Sequence, residues 1–102
     1  MAVLVFVTGE GFTKEMYETV RKEVDWEHKH PQGGVFHGMS YDAAKKTVRI
    51  ADVWESEGDF KKFVDTRLQP VFQKLKYTPP KFEVFPAHNI NAYPSIEKHK
   101  LK

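Results

Sequence analysis

The stretch "GVFHGMSYDAAKKTVRIADVWES", residues Gly34 to Ser56, decides the fold. Val35 to Tyr41 and Thr47 to Trp54 are runs rich in β-branched and aromatic residues, joined by "DAAKK". Two such runs with a short polar connection read as an antiparallel hairpin. Side chains alternate across a strand. Val35, His37 and Met39 therefore share one side, and Phe36 takes the other. In the second run Val48, Ile50, Asp52 and Trp54 oppose Ala51 and Val53. Both sides are apolar, yet a histidine and an aspartate sit near the middle.

Working outward from the hairpin, Ala2 to Val7 is a continuous apolar run ended by "TGEG". It reads as a central strand buried on both faces. Thr13 is placed to cap a helix, with Phe12 positioned to pack on Tyr17. Met16, Val20 and Val24 give that helix an apolar stripe, and Pro31 with "QGG" stops it. Ser56 and Asp59 fit a capping-box pattern. Phe60, Phe63, Val64, Leu68, Val71, Phe72 and Leu75 then recur at helical spacing. Pro70 lies inside this run and predicts a kink or break around Leu68 to Pro70. "YTPP" ends the helix, and Lys81 to Ala87 reads as the last strand.

The order β-α-β-β-α-β is the ferredoxin-like pattern of an α+β domain. Right-handed crossovers give a four-stranded antiparallel sheet with both helices on one face. The domain spans residues 1–87, and residues 88–102 form a polar C-terminal tail that is a candidate to pack on a partner subunit. The helix-free sheet face is also apolar and needs a cover. A second copy of the same sheet is the simplest one, so the expectation is a homodimer through that face.

The totals narrow the function. A chain of 102 residues with 40% apolar and 29% charged residues is a single globular domain. Sixteen basic and 14 acidic residues, interspersed, leave a net charge of +2. No basic stripe exists for a phosphate backbone, which argues against nucleic-acid binding. The absence of cysteine excludes disulfides, thiolate catalysis and thiolate metal sites. No run approaches the ~18 apolar residues of a membrane span, and the short apolar start lacks a basic leader. The expected location is the cytoplasm. No glycine-rich phosphate motif, metalloprotease motif or nucleophile elbow is present, so no cofactor is expected.

"DVWESEGDFKKFVDTRLQP" (Asp52 to Pro70), preceded by "GVFHGMS" and followed by "FEVFPAHNI", resembles the dimeric α/β-barrel superfamily. The resemblance is to the small antibiotic-biosynthesis-monooxygenase-like proteins and covers the chain to Asn89. It implies a homodimer whose two sheets close into a β-barrel. It also implies a pocket between each sheet and its own helices, or in the barrel centre. Activities in that superfamily include cofactor-independent monooxygenases on aromatic polyketides, cyclases, lactone isomerases, haem-degrading enzymes and aldoxime dehydratases. The haem-degrading members use a first-strand asparagine and a second-helix histidine. Ala2 to Val7 has no asparagine and Ser56 to Leu75 no histidine, so haem degradation is disfavoured. A strand histidine facing the pocket occurs in the quinol-oxidising members, and His37 matches it by type.

The candidate catalytic pair is His37 and Asp52. If the register sets them opposite each other, their Cβ atoms lie about 5.5 Å apart. Slipping by one residue puts them on opposite faces, and loop length alone does not fix the register. A carboxylate beside an imidazole holds one tautomer and supports the imidazolium, which suits a general base. The plainer reading is a satisfied polar pair in a packed interior. Trp54, Phe36, Phe6 and Phe85 are candidates to line a site for an apolar, aromatic small molecule. Arg67 is a candidate for a ligand's carboxylate or phenolate, or for a surface ion pair. His28 and His30 in "EHKHP" do not face each other on a helix, and no metal is expected. The leading expectation is an acid/base enzyme of the monooxygenase, cyclase or isomerase type. The alternative is a non-catalytic ligand-binding or stress-related dimer.

Overall fold

A computed structural model describes residues 1–101. Its strands are β1 (Val3–Glu10), β2 (Gly34–Asp42), β3 (Thr47–Trp54) and β4 (Lys81–Pro86). They form one antiparallel sheet in the order β2-β3-β1-β4. Helix α1 (Lys14–Val24) joins β1 to β2. Helix α2 (Glu57–Phe63), a π-helical turn (Val64–Leu68) and helix α3 (Gln69–Leu75) join β3 to β4. This is the α+β, ferredoxin-like arrangement that the element order implies.

The boundaries differ from the sequence reading in three places. β1 is central but continues through Thr8, Gly9 and Glu10, which pair with Arg49, Val48 and Thr47. α1 stops at Val24, well before Pro31, because Asp25 takes the left-handed conformation (φ 61°). Its N–H closes on the Arg21 carbonyl at 2.8 Å, and its carboxylate bonds His28 Nδ1 at 2.6 Å. Aspartate tolerates this conformation because its short polar side chain bonds locally. The helix around Pro70 does not break. Instead it widens, with the Gln69 N–H reaching back to the Val64 carbonyl. A proline ring crowds the carbonyl one turn earlier, and a π turn opens the ladder there without ending it.

The caps follow the sequence. Thr13 Oγ1 accepts from the Met16 N–H at 3.1 Å, and Ser56 Oγ from the Asp59 N–H at 3.0 Å. Such caps contribute about 1 kcal/mol each. Gly33 sits at φ +82° with the Asp59 side chain where a Cβ would stand, so only glycine fits. Its carbonyl accepts from the Glu55 N–H at 2.7 Å, tying the start of β2 to the end of β3.

The core lies between the sheet and the helices. Val3, Val5, Val48 and Trp54 meet Tyr17, Val20 and Val24 of α1 and Phe60, Phe63 and Phe72 beyond β3. The α1 stripe starts at Tyr17; Met16 is half-buried beside it. Phe12 packs on Phe72 and Tyr77, whereas the Tyr17 ring goes to Trp26 and His37. The other sheet face carries Phe6, Phe36 and Phe85, which stay 45%, 42% and 46% exposed. After β4, the Ala87 N–H bonds the Ala2 carbonyl at 2.9 Å. The following segment has no regular structure apart from a 3₁₀ turn, Pro94–His99. The end of the tail, Lys102, lies outside the described residues. Among the described residues no helix is long and apolar enough to cross a membrane.

Candidate functional site

The hairpin loop sets the site. Asp42 pairs with Thr47 at the loop, and the register runs unbroken from there to His37 opposite Asp52. The Asp42 carboxylate accepts from the Lys45 N–H at 3.0 Å, and Lys46 takes positive φ (49°), which closes the turn. Only beyond Phe36 does a bulge shift the pairing, so that Gly34 stands opposite Trp54. The bulge therefore leaves the His37–Asp52 pair in register and re-aims the chain behind it.

His37 and Asp52 share the helix-covered face. His37 Nδ1 lies 2.7 Å from Asp52 Oδ1. The indole N–H of Trp54 donates to the other carboxylate oxygen, Oδ2, at 3.1 Å. With Asp52 accepting from both, Nδ1 carries the imidazole proton and Nε2 is left as the acceptor. The Tyr17 hydroxyl lies 2.7 Å from Nε2 and fills that position. The two rings are parallel within 3° with centroids 6.1 Å apart, which fits an in-plane, end-to-end hydrogen bond. Trp26 leans on the imidazole at 5.2 Å and on the phenol at 5.8 Å.

The chain Tyr17–His37–Asp52–Trp54 is graded in exposure. Trp54 is 3%, Tyr17 7% and Asp52 9% exposed, whereas the His37 side chain keeps 33%. Burial, together with the carboxylates of Glu27 and Glu18, pushes the Tyr17 phenol well above the usual tyrosine range. Tyr17 is therefore held as a phenol that donates. Arg21 bridges those two carboxylates at 2.7 and 2.6 Å and partly offsets their field. Among the described residues every buried side-chain nitrogen or oxygen has a hydrogen-bond partner.

These residues line a cavity of about 380 Å³ between the sheet and its own helices. That is in the range of small-molecule sites, ~300–1,000 Å³. Its walls are largely aromatic and aliphatic, with Phe60, Phe63, Val64, Leu68 and Phe72 opposite the sheet. The π turn brings Val64 and Leu68 into that wall.

Of the residues singled out in the sequence, the structure brings His37, Asp52 and Trp54 together. Phe36 borders the cavity, but its ring lies over Gly38 on the open face. Phe6 and Phe85 do not reach the cavity. They pair with each other, centroids 6.1 Å apart, on the open side of the sheet. The reason is parity: they oppose Ala51 and Leu4 in the ladder, one step away from Val5 and Val7. Arg67 also turns away from a ligand role. Its Nη2 donates to the Val24 carbonyl at 2.9 Å, capping α1, and its guanidinium lies 5.2 Å from the Phe63 ring centre. His28 and His30 point to separate partners, Asp25 and the Glu27 carbonyl.

Two site residues were missed. Tyr17 lies three residues before Val20 on the buried stripe, and a tyrosine there must find a partner for its hydroxyl. That signal was present. Trp26 gave none, since its place depends on the left-handed turn at Asp25.

No family model matches the chain, and no curated protein matches it in sequence. Solved structures do match in shape. The cofactor-independent oxygenase SnoaB from Streptomyces nogalater is 15% identical with a TM-score of 0.58, covering 87% of this chain and 94% of that one. Rv0793 from Mycobacterium tuberculosis is 9% identical with a TM-score of 0.66, covering 90% and 100%. A conserved protein from Methanosarcina mazei Go1 is 13% identical with a TM-score of 0.62, covering 83% and 91%. At these identities the likeness is one of fold.

Proposed function

We propose that this protein binds an apolar, aromatic small molecule in the cavity above β3 and performs acid/base chemistry on it, with His37 as the base. The observation that carries the reading is the His37–Asp52–Trp54 hydrogen-bond chain at the wall of an aromatic cavity. Asp52 fixes the imidazole tautomer and supports the imidazolium that forms on proton uptake. Trp54 in turn fixes Asp52. The fold neighbour described as a cofactor-independent oxygenase supports one form of this chemistry. In that form a benzylic or enolisable C–H loses its proton to His37. The carbanion then bonds O₂ and the peroxide takes the proton back from His37; loss of the second C–H proton with O–O cleavage leaves a ketone and water. A cyclase or isomerase would use the same proton step without O₂.

The working unit of this proposal is a homodimer joined through the open sheet face. Phe6, Phe36 and Phe85 form an exposed aromatic patch there, with Leu4, Ala51 and Val53 beside them. The tail after residue 87 is proposed to extend onto the partner.

The test uses anthrone, an enolisable tricyclic ketone, with O₂ uptake followed by electrode. His37→Ala is expected to lower the rate about 10²–10⁴-fold with unchanged circular dichroism. A second reading, ligand binding without turnover, is favoured by the complete hydrogen bonding of the site. Tight anthrone binding with no O₂ uptake in either protein would leave that second reading standing.

A further inference from the structure

The base reading leaves one geometric difficulty. His37 has two ring nitrogens, and both are engaged. Nδ1 faces Asp52 at 2.7 Å, and Nε2 faces the Tyr17 hydroxyl at 2.7 Å. A substrate proton reaches Nε2 only by displacing Tyr17 or by passing through it. Displacement is opposed by the packing. Tyr17 is 7% exposed, rides on a helix capped at both ends, and is braced by Trp26. Among the described residues its hydroxyl has no other side-chain partner. Passage through it is open, because Tyr17 lines the cavity and a phenol oxygen can accept one proton while giving up another.

We infer that Tyr17 is the substrate-facing catalytic residue, and that the cavity takes a phenol whose proton reaches His37 through the Tyr17 hydroxyl. The inference rests on the base reading above and specifies its substrate class and route. The step balances without an oxidant. The substrate O–H bond breaks and its proton goes to the Tyr17 oxygen. The Tyr17 O–H bond breaks in turn and its proton goes to Nε2. The products are a phenolate, a neutral tyrosine and an imidazolium paired with Asp52. Tyr17 then donates to the phenolate it has created, which an ionised tyrosine would not do. The burial and nearby acids that keep Tyr17 protonated serve this role. A phenol suits the walls, since Phe63 and Leu68 offer apolar surface for a ring and Tyr17 brings the one hydroxyl among the lining side chains.

The probe is 4-nitrophenol, whose anion absorbs visible light and whose neutral form does not. Titrated with the intact protein, the bound probe is expected to ionise about one pH unit, or tenfold, more readily than the free probe. Tyr17→Phe and His37→Gln are both expected to bind the probe and abolish that shift. Loss in His37→Gln with retention in Tyr17→Phe overturns the relay and leaves His37 as a direct base. Retention in both overturns the base reading itself. Retention in His37→Gln alone overturns the relay, because Tyr17 would then act without His37. No binding to the wild-type protein overturns the phenol assignment. A second measurement needs no variant and is immune to misfolding. In isotope-labelled wild-type protein, added probe should place a second proton on the His37 ring while Tyr17 stays a phenol. Probe protons should show magnetisation transfer to the Tyr17 ring. Transfer to the His37 ring with Tyr17 displaced overturns the relay.

Discussion

The two faces of the one sheet both carry aromatic and aliphatic side chains, and they meet opposite fates. β1 sends Val3 and Val5 to the helices and Phe6 to the open side. The first two are 6% and 0% exposed; Phe6 is 45% exposed. β3 sends Val48, Asp52 and Trp54 inward and Ala51 outward. The inward face is the more apolar of the two, yet it holds the Asp52 carboxylate, whereas the charges of Arg49, Lys81 and Glu83 lie on the open side. What separates the faces is cover. Once α1 and the α2–α3 segment seal one side, a polar group there must be paired, and the pairing becomes a designed hydrogen-bond chain. On the other side the aromatics remain free to meet a partner.

The comparison breaks first at Trp54. Trp54→Ala removes a buried ring between Phe60 and Phe63 and the donor to Asp52. A loss of about 3–5 kcal/mol in urea unfolding is expected. A loss below ~1 kcal/mol would mean that the inner face is not the core. The paired change Phe6→Ser with Phe85→Lys tests the outer face. It should cost the fold of one subunit little, within about 0.5 kcal/mol per site, while lowering the mass in light scattering from dimer to monomer. An unchanged dimeric mass would remove the open face as the interface, and a monomeric wild-type protein would remove the dimer. The smallest effect concerns Tyr17. Its phenol is raised in the folded state by burial and Glu27. The stability it contributes is therefore full below the unfolded tyrosine value of about 10 and declines as pH rises above it. Tyr17→Phe should flatten that alkaline decline in a series of thermal melts, and an identical slope would contradict the burial of the phenol.

Much of the fold was legible because it rests on local signals. Helical spacing from Phe60 to Leu75, the Thr13 and Ser56 caps and the hairpin runs each appear in a few neighbouring residues. The errors fell where the backbone did not follow its proline and glycine signals. Asp25 ended α1 by turning left-handed, and Pro70 was absorbed by a π turn. The site was half legible. His37 and Asp52 were visible as polar residues in apolar strands, but the aromatic candidates split between the faces. Phe6 and Phe85 share the composition of a pocket wall without its parity.

By itself the sequence determined the element order, the amphipathic helices and the presence of two apolar sheet faces, because alternation and helical spacing are properties of the chain. It also narrowed the candidate catalytic pair to His37 and Asp52. Only the tertiary structure decided that these two lie opposite each other, since a slip of one residue would send one of them to the other face. Only the tertiary structure brought Tyr17 to the free imidazole nitrogen, 20 residues away along the chain. Contacts of that kind depend on where a helix docks on a sheet, and no local pattern in either element records that.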